Sequence, residues 1–276
     1  MPVTDLTALS TSLREVAVEA ATAVGPMLRD AFRAEVEVAF KRDHHDLVTE
    51  YDTASEESIR ASILRAHPDS RILGEEGGTV GDGAVLWLVD PIDGTSNFAR
   101  GIAQFCVSIA AAVDGELTAG VIYDPMAENL FTADLTGAWL DGRPLRCAGA
   151  AEASAATVLT DYPAARDVAA GPAAGERFAM LVDEFRSVRR GGSGALGLAH
   201  VAAGWVDCTF GTSTHPWDIA AGALLVRQAG GSFHGYRDGA ELTTSVWEAP
   251  HYAAFAGDAE YPQITEIVRD HDHPIE

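Results

Sequence analysis

The stretch WLVDPIDGTSNF, residues 87–98, restricts the possible folds more than any other part of the sequence. Its leading apolar residues predict the last part of a buried strand, and Pro91, which lacks a backbone N–H donor, predicts a turn directly afterwards. The turn would leave Asp90 and Asp93 facing one point. Gly94 then opens a turn or helix whose free N–H groups and dipole favour an anion. The stretch therefore predicts a hard-cation site beside a phosphate site.

A plainer interpretation is that Asp90 and Asp93 only form a turn, and for an isolated Asp-x-x-Asp pattern it is the better one. Other carboxylates change the balance, because Glu75 lies at a second predicted strand end and Asp218 at a predicted helix start. Four carboxylates within about 5 Å of one another would repel by roughly 3 kcal/mol per pair at an effective dielectric constant near 20. Bound cations would offset that repulsion, and ligation by oxygen alone selects Mg²⁺ or Mn²⁺ over zinc. Spacing alone does not show that these side chains converge.

The first half of the chain predicts two helices beside a meander of strands. Apolar residues at helical spacing predict a helix over 5–32, bent or ended near Gly25-Pro26, and a second helix over 53–66 with an acidic first turn. Short apolar segments divided by turn signals predict strands of an antiparallel or mixed sheet: RILGEEGG, VLWLVDP, FCVSIAAAV, LTAGVIYDP and NLFTAD. This half is predicted to be an α+β arrangement.

Beyond residue 145, strand-like and helix-like segments alternate, which is typical of an α/β arrangement. The predicted helices lie in ERFAMLVDEF, ALGLAHVAAGWV and WDIAAGALLVRQAGG, TFGTS is predicted to be a loop or strand, and YAAFAG is the predicted final strand. A division into two parts, 1–146 and 147–276, places the junction near the Ala- and Gly-rich stretch 148–156. A short loop within one unit is equally consistent with that stretch.

The composition excludes several classes of function. With 41 acidic and 19 basic residues, the formal net charge of −22 would repel nucleic acids and anionic membranes, and an anionic substrate would need a cation as mediator. No apolar run reaches the roughly 18 residues of a membrane span, and the first residues lack the order of a signal peptide, so we expect a soluble, cytoplasmic protein. Cys106, Cys147 and Cys208 are expected to be buried thiols rather than disulfide or zinc ligands.

Four segments, in this order along the chain, resemble the inositol monophosphatase family of phosphatases. They are KRDHHDLVTEYD at 41–52, GEE at 74–76, WLVDPIDGTSNF at 87–98 and HPWDIAAGALL at 215–225. The similarity covers nearly the full length. It implies a layered α-β-α-β-α sandwich of the sugar phosphatase type, a lithium-sensitive, Mg²⁺-dependent phosphomonoesterase that acts on a small phosphorylated metabolite, and a homodimer.

The resemblance also implies which residues would hold metal ions. Glu75, Asp90 and the main-chain oxygen of Ile92 match the positions that hold one Mg²⁺, and Asp90, Asp93 and Asp218 match those that hold a second. Glu75 would also help to hold a weaker third ion. Mn²⁺ is an alternative to Mg²⁺ at these positions.

The remaining assignments concern the attacking water, the phosphate and the substrate. Asp52 and Thr95 match the positions that orient and deprotonate the water, with Glu75 beside them in the catalytic set. The backbone N–H groups of Gly94 and Thr95 would hold the phosphate, since a glycine lets the ion approach the backbone closely. Ser193 and Gly194 match positions that line the substrate pocket.

One departure from the family concerns the substrate. Inositol-specific members commonly carry a glutamate that binds the inositol hydroxyls where this chain has Gly211, which argues against a strict inositol preference. myo-Inositol 1-phosphate is the leading candidate, with histidinol phosphate, fructose 1,6-bisphosphate and 3'-phosphoadenosine 5'-phosphate as rivals. From another class of function, the alternative is a scaffold that binds metal without catalysis.

Two further segments have competing interpretations. GSGALG at 192–197 matches the Gly-x-Gly-x-x-Gly pattern of dinucleotide sites, but the acidic residue expected about 20 residues later is absent in usable form, which argues against a dinucleotide. Lys41 belongs to a segment, 41–46, that the family uses as a mobile flap near the metals. An ordinary basic surface loop is equally consistent with this segment.

Overall fold

The computed structural model of the chain describes residues 3–34, 38–40 and 47–271, so the candidate flap at Lys41 lies outside the described residues. In the described ranges the helices are α1 Val3–Ala31, α2 Glu50–Ala66, α3 Thr95–Ala99, α4 Ala165–Ala169, α5 Ala173–Glu184, α6 Gly194–Ala202, α7 Pro216–Gln228 and α8 Pro262–Arg269. The strands of the same ranges are β1 Val38–Phe40, β2 Leu47–Thr49, β3 Ser70–Gly74, β4 Gly78–Val80, β5 Val85–Asp93, β6 Cys106–Val113, β7 Glu116–Asp124, β8 Asn129–Asp134, β9 Gly137–Leu140, β10 Arg143–Pro144, β11 Thr157–Thr160, β12 Ser187–Arg189, β13 Cys208–Thr212, β14 Ser232–Arg237, β15 Ala240–Glu241 and β16 His251–Phe255.

The long helix α1 packs with α2 on one face of the first sheet and continues past Gly25-Pro26, so of the bend or end predicted there, the end is excluded. Pro26 removes one helical hydrogen bond, but its ring lies on the exposed face of the helix. The buried stripe of the helix extends beyond it to Leu28 and Ala31. Burial of these residues against the sheet offsets the missing bond.

The first sheet has the strand order β10-β9-β8-β7-β6-β5-β3-β4. Of these strands only β3 and β5 are parallel neighbours, so the predicted mixed sheet is confirmed. Leu86 and Leu88 of β5 belong to one core cluster, whereas Trp87 and Val89 belong to another. Since alternate residues of a strand point to opposite faces, β5 is buried on both sides. This explains its continuous apolar sequence.

Helices α6 and α7 form a middle layer between the two large sheets. The second sheet has the order β12-β11-β13-β16-β14-β15, and one core cluster joins Leu88 of the first sheet, Leu225 of α7 and Ala254 of the second. The opposite face of the second sheet packs on α5 and α8, where Leu181 and Ile264 are fully buried. The layers therefore run α-β-α-β-α, and the predicted fold class is confirmed.

The second half differs from the sequence prediction in a few elements. Strand β14 and helix α8 are not predicted at all, and of the loop or strand predicted for TFGTS, residues 209–212 form part of strand β13. The helix predicted over ALGLAHVAAGWV ends at Ala202, because Gly204 adopts a positive φ of 69° that terminates the helix. The division into 1–146 and 147–276 stays a prediction, since α6 and α7 of the second part pack on the first sheet.

The cysteines behave as expected. Cys106, Cys147 and Cys208 are free thiols buried in the apolar cores. Across the described ranges, no helix combines the length and the apolar character that crossing a bilayer requires.

We predict that two helical glycines respond in opposite directions to alanine. A Cβ atom on Gly222 of α7 would lie 2.4 Å from Cβ of Leu198, whereas one on Gly175 of α5 meets no atom within 4 Å. Gly222→Ala should lower the free energy of unfolding by about 1–3 kcal/mol through overpacking of the middle layer. Gly175→Ala, the matched control, should raise it by roughly 0.5–1 kcal/mol through helix propensity. Urea denaturation measures both, and an unchanged Gly222→Ala would contradict the close packing.

Candidate active site

The end of strand β5 contains a bulge that places two aspartates side by side. Asp90 pairs with Ser108 and Asp93 with Cys106, so three steps on β5 oppose two steps on β6. The strand does not end before Pro91 as the sequence suggests, because the bulge accommodates a residue without an N–H donor. Oδ1 of Asp90 accepts the backbone N–H of Ile92 at 3.0 Å, which holds the bulge.

Two other elements bring the remaining predicted ligands to this point. Strand β3 runs parallel to β5 with Gly74 opposite Val89, and the backbone N of Glu75 donates to the carbonyl oxygen of Val89 at 3.1 Å. Glu75 therefore lies beside the residue that follows Val89. Asp218 lies in the first turn of α7, where its Oδ2 accepts the backbone N–H of His215 at 2.8 Å.

The electrostatics show that these carboxylates lie close together. Burial raises the pKa of Asp90 well above its ordinary value, and the charges of Glu75, Asp93 and Asp218 raise it further. Burial, followed by the charge of Asp218, raises the pKa of Asp93 to about 7. Like charges shift a pKa in this way only at short range. The structure thus brings together acidic residues from a strand end, a turn and a helix start.

The donor set fits a hard divalent cation. Among the described residues, no group of three or more His, Cys, Asp or Glu side chains is positioned so that it could hold a metal ion without rearrangement. The converging groups are nevertheless all oxygen donors, which Mg²⁺ and Mn²⁺ prefer. Burial is the main cause of the raised pKa values of Asp90 and Asp93, and the charges of neighbouring carboxylates add to it. The ligand assignment to Glu75, Asp90, Ile92, Asp93 and Asp218 stays a prediction.

Asp52 and Thr95, the residues predicted to orient and deprotonate the attacking water, are hydrogen-bonded to each other. Oγ1 of Thr95 lies 2.9 Å from Oδ1 of Asp52 and 3.0 Å from the carbonyl oxygen of Ile92, both acceptors for its single proton. Oδ2 of Asp52 accepts the backbone N–H and the hydroxyl of Thr49 at 2.7 and 2.6 Å, which caps α2. Burial raises the pKa of Asp52 to about 6 although these bonds lower it.

The predicted phosphate and substrate residues lie beside the acidic cluster. Gly94, with φ of 97°, begins α3, and a Cβ atom there would lie 2.9 Å from the carbonyl oxygen of Gly192. Ser193 caps α6, and its hydroxyl donates to Oδ2 of Asp93 at 2.6 Å. The same oxygen accepts the backbone N–H of Ala195 at 2.7 Å. The start of α6 in GSGALG thus binds a carboxylate of the protein itself.

Comparison with known proteins identifies the family. Residues 10–273 match the model of the inositol monophosphatase family. The chain belongs to this family. A tomato (Solanum lycopersicum) protein named inositol monophosphatase 3 is 37% identical over 224 residues, covering 79% of this chain and 83% of the relative. The Nus factor SuhB of Pseudomonas aeruginosa is 40% identical over 224 residues, covering 78% and 82%.

Solved structures of family members share the fold. The inositol monophosphatase from Anabaena (Nostoc) sp. PCC 7120 superposes with a TM-score of 0.77 at 33% identity, covering 94% of each chain. The extragenic suppressor protein suhB from Bartonella henselae superposes with a TM-score of 0.81 at 32% identity, covering 95% of this chain and 100% of that one. The layered architecture is therefore that of the family.

A cavity of about 220 Å³ opens next to the acidic cluster. Its walls include Asp93, Asp218, Ser193 and Gly194, so the two predicted substrate residues do line a pocket at this site. The cavity extends between the second sheet and the start of α7. A substrate whose phosphate lay at the acidic cluster would place its leaving group here.

Glu56 is a functional candidate that the sequence analysis misses. Its buried carboxylate accepts the backbone N–H groups of Glu76 and Gly77, each at 2.8 Å, and lies 2.8 Å from Nη2 of Arg60. A Cβ atom on Gly74 would collide with it at 2.5 Å. Glu56 thereby fixes the turn that carries Glu75. The sequence did contain a signal for Glu56: a glutamate on the apolar side of an amphipathic helix, together with a glycine-rich turn.

We predict that Glu56→Gln weakens the apparent affinity for Mg²⁺ by about 10- to 100-fold. A glutamine has one acceptor oxygen, and its amide N–H₂ would face a backbone N–H, so the turn with Glu75 would shift. Calorimetric titration with Mg²⁺ measures the effect. Glu57→Gln, which removes an exposed carboxylate next along the same helix, is the control. Equal affinities in Glu56→Gln and wild type would remove the positioning role.

We also predict how Asp52 affects stability against pH in a chelated, metal-free sample. Its pKa is about 6 in the folded protein, against an ordinary value of 3.8 that applies to the unfolded chain, so the folded state holds the proton more tightly. The resulting penalty is absent below about pH 4, grows as the pH rises to about 6, and persists above that pH, for a total of roughly 2–3 kcal/mol. The Asp52→Asn variant should lack this pH-dependent penalty, because asparagine does not ionise.

The measurement is the free energy of unfolding of wild type and Asp52→Asn between pH 4 and 7. The free energy of unfolding of Asp52→Asn, relative to that of wild type, should increase as the pH rises. Asp258→Asn removes an exposed acidic side chain and controls for net charge. Parallel curves for wild type and Asp52→Asn would contradict the raised pKa.

Proposed function

We propose that this chain is a Mg²⁺-dependent phosphomonoesterase that hydrolyses a small phosphorylated polyol or sugar, with myo-inositol 1-phosphate as the leading candidate. The observation that carries the proposal is the grouping of Glu75, Asp93 and Asp218 around the buried Asp90, whose pKa is raised first by burial and then by their charges. A protein has little reason to bury acidic groups together unless a cation offsets their repulsion.

Each predicted ligand has a defined place in this proposal. Glu75, Asp90 and the main-chain oxygen of Ile92 would hold one ion, and Asp90, Asp93 and Asp218 a second. Bound Mg²⁺ would supply charge neutralisation at the phosphoryl oxygens, a lowered pKa for bound water and stabilisation of the leaving oxygen. All of this chemistry is centred at the end of β5.

The protein itself would handle the proton of the attacking water. Thr95 donates its hydroxyl proton toward Oδ1 of Asp52, which leaves a lone pair of Oγ1 to accept a hydrogen bond from water. As the water oxygen bonds to phosphorus and the bond to the leaving oxygen breaks, one water proton passes to Oγ1 and the hydroxyl proton to Asp52. The leaving alkoxide would take a proton from solvent water, and the proton that Asp52 later releases would neutralise the hydroxide so formed. A carboxyl group with a pKa of about 6 is suited to take that proton and release it near neutral pH.

The size of the cavity supports a compact leaving group. Its volume of about 220 Å³ lies below the range of roughly 300–1,000 Å³ typical of sites for larger ligands. A phosphorylated sugar, polyol or histidinol suits this space better than 3'-phosphoadenosine 5'-phosphate does. The Gly94 and Thr95 backbone N–H groups would orient the phosphate at the mouth of the cavity.

The alternative from another class is a metal-binding scaffold without catalysis. Several relatives carry the name Nus factor SuhB, which describes a role other than that of an enzyme. In this chain the Thr95–Asp52 hydrogen bond favours the enzyme, because a scaffold that only binds metal needs no pair to activate water. The expected homodimer and the expected lack of nucleic-acid and membrane partners stay predictions.

The test is the release of inorganic phosphate from a panel of phosphate esters with Mg²⁺ and with a chelator. We expect release only with Mg²⁺, and we expect Asp90→Asn and Asp93→Asn to lower kcat at least about 100-fold in saturating Mg²⁺. Asp258→Asn, an exposed control, should leave kcat unchanged. Near-normal kcat in either active-site variant would refute the assignment, and Mg²⁺ binding without any turnover would favour the scaffold.

A further inference from the structure

A single turn is bonded to two carboxylates of the cavity wall. The hydroxyl of Ser193 donates to Oδ2 of Asp93 at 2.6 Å, and the backbone N–H of the preceding residue, Gly192, donates to Oδ1 of Asp161 at 2.8 Å. Neighbouring residues have Cα atoms about 3.8 Å apart, so the turn holds the two carboxylates close to each other. Both side chains line the same cavity. The proposed hydrolysis uses Asp93 and leaves Asp161 without a role.

Asp161 is a fixed hydrogen-bond acceptor. It directly follows Thr160 of β11, and its carbonyl oxygen accepts Nη2 of Arg190 at 3.0 Å. The bond to Gly192 uses Oδ1, whereas Oδ2 has no hydrogen-bond or ion-pair partner within the part of the chain that the structure describes. The side chain is exposed. An ionised carboxylate can only accept hydrogen bonds, so Oδ2 requires a donor such as a hydroxyl or an ammonium group.

The charge of Asp161 also reaches the place where the phosphate would be held. Burial, then the charge of Asp218 and to a smaller extent that of Asp161, raise the pKa of Asp93. The interaction of two charges falls with the distance between them, so this effect agrees with the short connection through the turn. A donor that reaches Asp161 must therefore lie close to the ester oxygen of the leaving alcohol.

Position 211 on the neighbouring strand offers no acceptor side chain. Thr160 of β11 pairs with Phe210 of β13, so Asp161 and Gly211 follow at the same level of the sheet. A Cβ atom on Gly211 would lie 2.6 Å from Cε1 of Tyr252, which is 1% exposed. A glutamate at position 211 would therefore have to displace this ring. The carboxylate of this wall comes from the chain that continues β11, one strand away.

A hydroxyl group fits this wall better than an ammonium group does. Both can donate to Asp161, but Arg166 lines the same cavity, and metal ions would lie at Asp93 and Asp218. These cations repel an ammonium group, whereas a hydroxyl group carries no net charge. The chemistry of the wall therefore favours a neutral alcohol with hydroxyl groups over an amino alcohol such as histidinol.

We propose that Asp161 determines the specificity of this cavity for polyols, because its Oδ2 accepts a hydrogen bond from a hydroxyl group that lies close to the phosphate ester in the leaving alcohol. This proposal rests on the proposed phosphomonoesterase function. A hydrogen bond to an ionised acceptor is roughly twice as strong as one between neutral groups, so one such contact can discriminate between alcohols. Asp161 binds the leaving group and does not touch the reacting atoms.

The test compares esters that share a carbon skeleton, with the full chain in Mg²⁺. myo-Inositol 1-phosphate is paired with cyclohexyl phosphate, and glycerol 2-phosphate is paired with isopropyl phosphate. In each pair the two esters have the same charge, and only the first carries hydroxyl groups. We expect kcat/KM to be at least about tenfold higher for the hydroxylated member. Hydroxyl groups also change the intrinsic reactivity of an ester, so the decisive quantity is how a variant changes the ratio within a pair.

Asp161→Asn is the decisive variant, because its amide oxygen can keep the bond to Gly192 while an N–H₂ donor replaces Oδ2. The ratio of kcat/KM between the hydroxylated and the hydroxyl-free ester should fall by about 10- to 100-fold, mainly through a higher KM for the hydroxylated ester. Asp161→Ala also removes the bond to the turn, so it should in addition lower kcat/KM for both members. Asp258→Asn, which removes an exposed carboxylate that does not line the cavity, should leave the ratio unchanged.

A third pair distinguishes the two kinds of donor. 2-Hydroxyethyl phosphate and 2-aminoethyl phosphate differ only in whether a hydroxyl or an ammonium group lies next to the ester. We expect Asp161→Asn to lower kcat/KM more for the hydroxyl ester. A larger loss for the ammonium ester would overturn the assignment to polyols.

The remaining outcomes separate this role from the function on which it rests. Equal fractional losses for both members of each pair in Asp161→Asn would show that Asp161 only holds the turn, and an unchanged ratio would likewise overturn the specificity role. Mg²⁺-dependent release of phosphate from cyclohexyl or isopropyl phosphate would still support the phosphatase in either case. If no ester of the panel releases phosphate, the proposed function fails and the role of Asp161 fails with it.

Discussion

The burial of several like charges at one point is the constraint on which the rest of the structure depends. Asp90 and Asp93 lie at the end of a strand that is covered on both faces, and burial raises the pKa of both. The surrounding backbone partly opposes this effect, because N–H groups such as that of Ala195 bond to the carboxylates and favour their ionised forms. A bound divalent cation would offset the remaining repulsion between the carboxylates. The repulsion that destabilises the metal-free protein would therefore favour metal binding.

The layered architecture explains how such a cluster can be built. The middle helices α6 and α7 both begin next to the end of β5, so their first turns direct N–H groups toward carboxylates. The positive end of a helix dipole stabilises negative charge in that position. Because these helices pack on both sheets, the acidic cluster and the cavity are placed at the junction of all the inner layers. A disturbance of the middle layer would therefore be transmitted to the site.

The cavity wall at Gly211 departs from the family pattern that the sequence analysis describes. Tyr252 occupies the space beside Gly211, where a Cβ atom would lie 2.6 Å from its Cε1. Under the proposed function, the acidic cluster and the Asp52–Thr95 pair would cleave the phosphate ester, whereas the wall at Gly211 would contact the alcohol that leaves.

The sequence by itself determined the local patterns: the continuous apolar run of β5, the amphipathic helices, and the Asp, Gly and Thr residues at 90–95 whose chemistry points to metal and phosphate. An end of α1 at Pro26 and an end of β5 before Pro91 are both excluded, because a helix face exposed to solvent and a bulge in a sheet tolerate proline where local rules predict an end. Only the tertiary structure decided that Glu75, Asp90 and Asp218 converge, that Glu56 holds the turn beside them and that Tyr252 closes the wall at Gly211. The physical reason is that periodicity reports contacts within one element, whereas these contacts join elements far apart in the chain and form only when the layers pack.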